Sequence, residues 1–221
     1  MVSRSLVLAT LGNKRFPSSS AIIEKITTIY KAGTASMAYF YFDFRNVTKR
    51  SRRNLLSSLL VQLSARSDPF CDILSRLYDQ HDNGLRQPSD RALTACLKKM
   101  LTLPNQGPVY LILDALDECP QTSGVPPIRK QVLDLVKELV DLRLPHLHIC
   151  VTSRPEVDIQ HILGSVASHF VSLHTEGGQK KDITEYVKSV VRSNSSREIT
   201  RWSDADKELV IETLSERADG M

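Results

Sequence analysis

Apolar positions fall into two rhythms along this chain: short continuous runs, and longer stretches spaced by threes and fours. The runs Ser5–Leu11, Met37–Phe44, Val109–Asp114, Leu147–Ser153 and Phe170–Leu173 are rich in aliphatic and aromatic residues and predict strands. Helical spacing begins with Ile22, Ile23, Ile26, Ile29 and Tyr30, and Gly33 stops that helix. It returns in Leu55, Leu56, Leu59, Leu60 and Leu63, then in Ile73, Leu74 and Leu77 after the break at Asp68-Pro69. A fourth helix carries Leu93, Cys96, Leu97, Met100 and Leu101 on its inner face, with Ser89 as its N-cap after Pro88. Three more follow, marked by Val132, Leu133, Val136, Leu139 and Val140, by Ile183, Tyr186, Val187, Val190 and Val191, and by Leu209, Val210 and Leu214. Polar or Pro/Gly-rich segments such as HDNGLRQPSD, PQTSGVPP and SNSSREITRWSD separate them. Strands divided by helices predict an α/β fold, a parallel sheet with helices on both faces. Right-handed crossovers then bring the strand ends to one shared edge, where such sheets bind ligands.

Composition changes little in this picture. The chain has 221 residues, 41% hydrophobic and 24% charged, enough to bury a full core. A net charge of +4 is too small to argue for nucleic acid, and nucleic acid is not an expected partner. The cluster Arg45, Lys49, Arg50, Arg52 and Arg53 has two readings, a solvated helix entry or a phosphate-facing patch, and the first is preferred. No apolar run reaches the ~20 residues of a membrane span. MVSRSLVLATLG lacks a cleavage site at the right distance for a signal peptide, so a cytoplasmic protein is expected. Cys71, Cys96, Cys119 and Cys150 form no C-x-x-C and read as buried, reduced thiols.

Candidate chemistry sits at two strand ends. VYLILDALDEC places Asp114 at the end of an aliphatic run, with Asp117 and Glu118 just beyond. LHICVTSR ends in Thr152, Ser153 and Arg154. On a shared edge the carboxylates suit Mg²⁺ and a water molecule, and Arg154 suits a terminal phosphate. The plain structural reading is that the acids cap a loop and Arg154 pairs with one of them. Ala115 keeps bulk away from Asp114.

YLILDALDECP and HICVTSRPE resemble the Walker B and sensor 1 segments of NACHT domains, which are STAND-class P-loop NTPases. More narrowly, YFYFDFRN, GLRQPSDRALTACLKKML and DKELVIETLSERADGM are similar to the fungal, nephrocystin-like N-terminal modules of that group. The resemblance covers Ser20 to Met221. It implies a P-loop NTPase-like parallel sheet flanked by helices, and a nucleotide-dependent signalling switch, often linked to repeat domains and able to self-associate. It implies Mg²⁺ with ATP or GTP, Asp114 as the metal-holding acid, Asp117 and Glu118 as the downstream acids of which one polarises water, and Arg154 at the terminal phosphate.

One departure stands out. The family's G-x-x-x-x-G-K-[ST] is replaced by LGNKRFPSS, in which Gly12 and Ser19 keep their places. Pro17 replaces the second glycine and Ser18 the lysine, so an amide donor and a charge are both lost. Ser19 is the remaining candidate nucleotide contact of that loop. The expected organisation is an atypical segment over 1–19, a NACHT-type core over 20–195, and the start of a truncated helical region over 196–221. The alternatives to a switch are a non-catalytic interaction module or a gene fragment without function.

Overall fold

The computed structural model describes residues 6–10, 35–46, 49–65, 67–121, 124–172, 178–192 and 202–216. The helix over Ile22–Tyr30, its stop at Gly33, and the segment from Gly12 to Ser19 lie outside the described residues. In chain order the elements are β1 (Leu6–Thr10), β2 (Ser36–Tyr41), α1 (Arg52–Ser64), α2 (Asp68–Asp79), α3 (Asp90–Leu101), β3 (Val109–Asp114), a 3₁₀ turn (Leu116–Glu118), α4 (Ile128–Asp141), β4 (Leu147–Ser153), α5 (Val157–Leu163), β5 (His169–Ser172), α6 (Gly178–Arg192) and α7 (Asp204–Glu216). The described residues up to Val171 form one compact unit, and those from Ser172 onward a second. In the second unit α6 and α7 pack together, with an ion pair between Arg192 and Glu208.

Local sequence explains the helices. Ser51 and Ser89 cap α1 and α3, their hydroxyls accepting the amides of Asn54 and Ala92, each at 3.2 Å. Such caps contribute about 1 kcal/mol each. Pro69 stands in the first turn of α2, where its missing N–H costs nothing. The inner faces of α1 and α3 are those the spacing predicts. Leu55, Leu56, Leu59, Leu60 and Leu63 of α1 are buried, as are Leu93, Cys96, Leu97, Met100 and Leu101 of α3. They join one core with Leu111 and Leu113 of β3, Ile149 and Val151 of β4, and Val132 and Val136 of α4. Alternation along β3 and β4 puts those four strand residues on one side of the pleat.

The sheet order is β2-β3-β4-β1-β5, an α/β, P-loop NTPase-like parallel sheet flanked by helices. The pairs β2–β3, β3–β4 and β4–β1 are parallel, with Tyr41 opposite Asp114, Leu113 opposite Val151, and Thr10 opposite Ser153. From β1 the chain must cross β4 and β3 to reach β2. From β4 it crosses β1 in the other direction to reach β5. The crevice between the carboxyl ends of β1 and β4 is therefore the topological switch point, where open α/β sheets bind ligands. Strand β1 ends at Thr10 beside this crevice.

Three expectations need correction. Helical spacing marks Leu209, Val210 and Leu214 in α7, but Leu209 and Leu214 are exposed and Ile211 is buried. Strand β2 ends at Tyr41 rather than Phe44, because β3, its neighbour, stops at Asp114 and offers no further ladder. Phe42 N–H still donates to the Asp114 carbonyl at 3.0 Å before the chain turns away. Cys71 is exposed, because α2 buries Phe70 and Ile73, and position 71 lies off that face.

Candidate functional site

Strand β3 delivers Asp114 to the carboxyl edge of the sheet, and β4 delivers Thr152 beside it. The Thr152 hydroxyl donates to Asp114 Oδ1 and accepts the Ala115 N–H at 3.0 Å. Ala115 has φ 56° and ψ 48°, the left-handed region. That conformation costs an alanine about 1 kcal/mol or more, and a β-branched residue would tolerate it less. The small side chain thus answers a backbone demand, a better reason than the crowding inferred from sequence.

The left-handed kink swings the chain into the 3₁₀ turn. Leu116 anchors the turn in the core with no exposed surface. Asp117 and Glu118 are then aimed apart. Asp117 Oδ1 accepts the Arg154 N–H at 3.0 Å, and its Oδ2 lies 3.3 Å from Arg154 Nε. The Asp117 side chain is 10% exposed and that of Arg154 49% exposed, so this pair is half buried. Glu118 Oε2 accepts the Phe44 N–H at 3.3 Å, tying the turn to the end of β2. The structure therefore gathers Asp114, Asp117, Glu118 and Arg154 at one edge, and joins Arg154 to Asp117 as the plain structural reading expected. Ser19 lies outside the described residues.

Charge at Asp114 is felt by its neighbours. Burial, and next the Asp114 carboxylate, hold the Tyr41 hydroxyl above its ordinary range. Burial and Asp114 push the Cys150 thiol up to about 11. Burial pushes Cys119 up to about 12, against an opposing pull from Arg129. Both thiols titrate higher folded than unfolded, where the value is 9.0. Their stabilising contribution is complete below that value and is lost as pH rises through the folded values. Urea unfolding between about pH 8 and about pH 11 will therefore show falling stability, and Cys119→Ala with Cys150→Ala will flatten that fall relative to the parent.

Asp114 fits Mg²⁺ as a single carboxylate ligand. Magnesium is commonly held by one or two carboxylates together with nucleotide phosphates. Among the described residues no cluster of three or more His, Cys, Asp or Glu side chains forms a metal cage. A Mg²⁺ ion at Asp114 would take the rest of its shell from water and phosphate oxygens.

Arg129, at the start of α4, is a site residue that sequence spacing missed. It is buried and bonds to the carbonyls of Asp117 and Cys119. The basic cluster also behaves differently from expectation. Arg45 and Lys49 are exposed, but Arg50 donates to the Phe44 carbonyl, Arg52 to Thr94, and Arg53 to Pro88 and Asp90. These three brace loops and α3. A separate cavity of about 320 Å³ between α1, α2 and α3 shares no residue with the acidic edge. No described helix is long and apolar enough to cross a membrane.

A model of the family described as Nephrocystin 3, N-terminal, matches residues 18–154, more than half of the chain. The chain belongs to that family. No curated protein matches it in sequence. Among solved structures it is similar to chains in Drosophila ORC bound to DNA (13% identity, TM-score 0.42, 77% of this chain and 79% of that one). Drosophila ORC bound to AT-rich DNA and Cdc6 gives 13% identity and a TM-score of 0.44 over 98% of this chain and 73% of that one. The E. coli MS115-1 HORMA:CdnC:Trip13 complex gives 9% and 0.35 over 88% and 66%. Likeness of this degree says nothing about function.

Proposed function

We propose that this chain, a member of the nephrocystin 3 N-terminal family, is a cytoplasmic NACHT-type switch module whose sheet edge answers to a magnesium nucleotide that it holds weakly. The observation that carries this reading is the gathering of Asp114, Asp117, Glu118 and Arg154 at one carboxyl edge of the sheet. Asp114 would hold the ion, and Mg²⁺ when bound neutralises charge on the transferred phosphoryl group. Asp117 or Glu118 would orient water. Arg154 is the switching group. It now faces Asp117 and would exchange that carboxylate for the terminal phosphate, releasing Asp117 toward solvent. ATP and GTP both satisfy this chemistry. Self-association of such modules is the partner chemistry the reading implies.

Weak affinity follows from Pro17 and Ser18, which remove an amide and a cation where the family has both. A second reading, an interaction module without catalysis, is favoured by a different observation. Asp114, Asp117 and Glu118 each already have a protein donor. Titration calorimetry of the chain with MgATP and MgGTP separates the two. The switch reading expects a dissociation constant weaker than about 0.1 mM that weakens further in Asp114→Ala. Binding that is undetectable even at millimolar nucleotide favours the interaction module. Micromolar binding lost in Asp114→Ala contradicts the proposed weakness of the loop.

A further inference from the structure

Arg129 makes contacts that a helix-surface arginine has no reason to make. Its side chain is 8% exposed. Nε donates to the Cys119 carbonyl at 2.9 Å and Nη2 to the Asp117 carbonyl at 2.5 Å. Nη1 donates to Asp158 Oδ1 at 3.4 Å and lies 3.7 Å from Glu156 Oε2. One guanidinium therefore grips the backbone on both sides of Glu118. It also grips the start of α5, just past Arg154. On the other side of the same turn, Asp117 Oδ1 accepts the backbone N–H of Arg154, and its Oδ2 pairs with the Arg154 guanidinium across 3.3 Å. The segments 117–119 and 154–158 are thus laced together twice. Only a planar fork of donors meets two carbonyls and two carboxylates at once.

We propose that Arg129 is a positioning residue of the acidic edge. By fixing the carbonyls of Asp117 and Cys119, it sets the Asp117 carboxylate opposite Arg154 and the Glu118 carboxylate opposite Phe44 N–H. Through Asp158 and Glu156 it passes any displacement of the turn to α5, giving the switch a mechanical output. The inference rests on the reading of this edge as the nucleotide-responsive site. Its geometric half can be tested without nucleotide.

The experiment follows solvent exchange of the Arg154 backbone amide by ¹⁵N NMR on the full chain. In the parent protein that amide is slowed in solvent exchange by its bond to Asp117 Oδ1 at 3.0 Å. Arg129→Gln and Arg129→Lys are compared after melting curves show that each is folded. Both variants will speed exchange of the Arg154 amide by about tenfold or more, the factor for losing one charge-assisted hydrogen bond. Lysine will not rescue, because it keeps the charge but not the fork. Arg154→Ala will leave the amides of Glu118 and Cys119 protected, because Arg129 still holds the turn. A folded Arg129 variant with lower melting temperature but unchanged Arg154 exchange overturns the proposal, and so does full rescue by lysine. If Arg129→Gln does not fold, Asp158→Asn removes one anchor at a half-buried position. Faster Arg154 exchange there supports the proposal and unchanged exchange overturns it. A separate arm adds millimolar MgATP to the parent. Silence of the Arg154 resonance in that arm counts against the nucleotide reading and leaves the positioning result as it stands.

Discussion

Leu97→Ala will lower the free energy of unfolding by about 2–5 kcal/mol. Leu97 lies on α3 with no exposed surface, in the core shared by α1, α4 and the sheet. Removing its three outer carbons forfeits their transfer free energy and leaves a cavity. Leu93, Met100 and Leu101 are held by the same helix and cannot close it fully. A domain of this size is stable by about 5–15 kcal/mol, so the loss is a large fraction of the total. Leu85→Ala is the control, because Leu85 is 91% exposed and its loss should change stability by less than about 0.5 kcal/mol. Urea unfolding of the two variants decides the matter. Equal midpoints would mean that α3 is not part of the core.

Two substitutions, Pro17→Gly and Ser18→Lys, will convert weak nucleotide binding into strong. They complete G-x-x-x-x-G-K-S from Gly12 to Ser19. The first returns a backbone N–H, and the second adds a cation for the phosphates. Each charge-assisted contact is worth about 1.5–3 kcal/mol, so together they imply a gain in MgATP affinity of about a hundredfold or more. Asp114, Asp117, Glu118 and Arg154 already stand together at the carboxyl edge of the sheet. Glu118→Gln or Asp117→Asn in the double variant should preserve affinity and slow single-turnover hydrolysis, because a water-orienting acid acts mainly in the transition state. Arg154→Ala should narrow the difference between tri- and diphosphate affinity, since its proposed contact is the terminal phosphate.

Much of this arrangement was legible in the chain. Strands β3 and β4 begin and end where the sequence predicts, because Gly107-Pro108 and Arg154-Pro155 punctuate them and their apolar runs are continuous. The shared edge of Asp114 and Arg154 followed from handedness of crossover alone. Other features depended on tertiary partners. Aromatic propensity carries β2 on to Phe44, but the left-handed Ala115 ends the neighbouring strand first. Helix α5 is only seven residues long, too short for a period to show. Arg129 sits in an ordinary Arg-Lys pair on an amphipathic helix. Its carboxylate partners, Glu156 and Asp158, come from beyond the next strand, and its other partners are main-chain carbonyls. Local pattern carries no signal for such a contact. The Asp117–Arg154 pair was one of two readings of the same residues, and side-chain geometry was needed to see it.

The central claim is that the carboxyl edge around Asp114 is a magnesium-nucleotide site weakened chiefly by its phosphate loop. The most direct test is calorimetric titration of MgATP into the Pro17→Gly/Ser18→Lys protein, with and without Asp114→Ala. The account predicts binding tighter than the parent by about a hundredfold or more, most of it lost when Asp114 is removed. A folded double variant that binds no better than the parent, or one whose binding ignores Asp114, would contradict it.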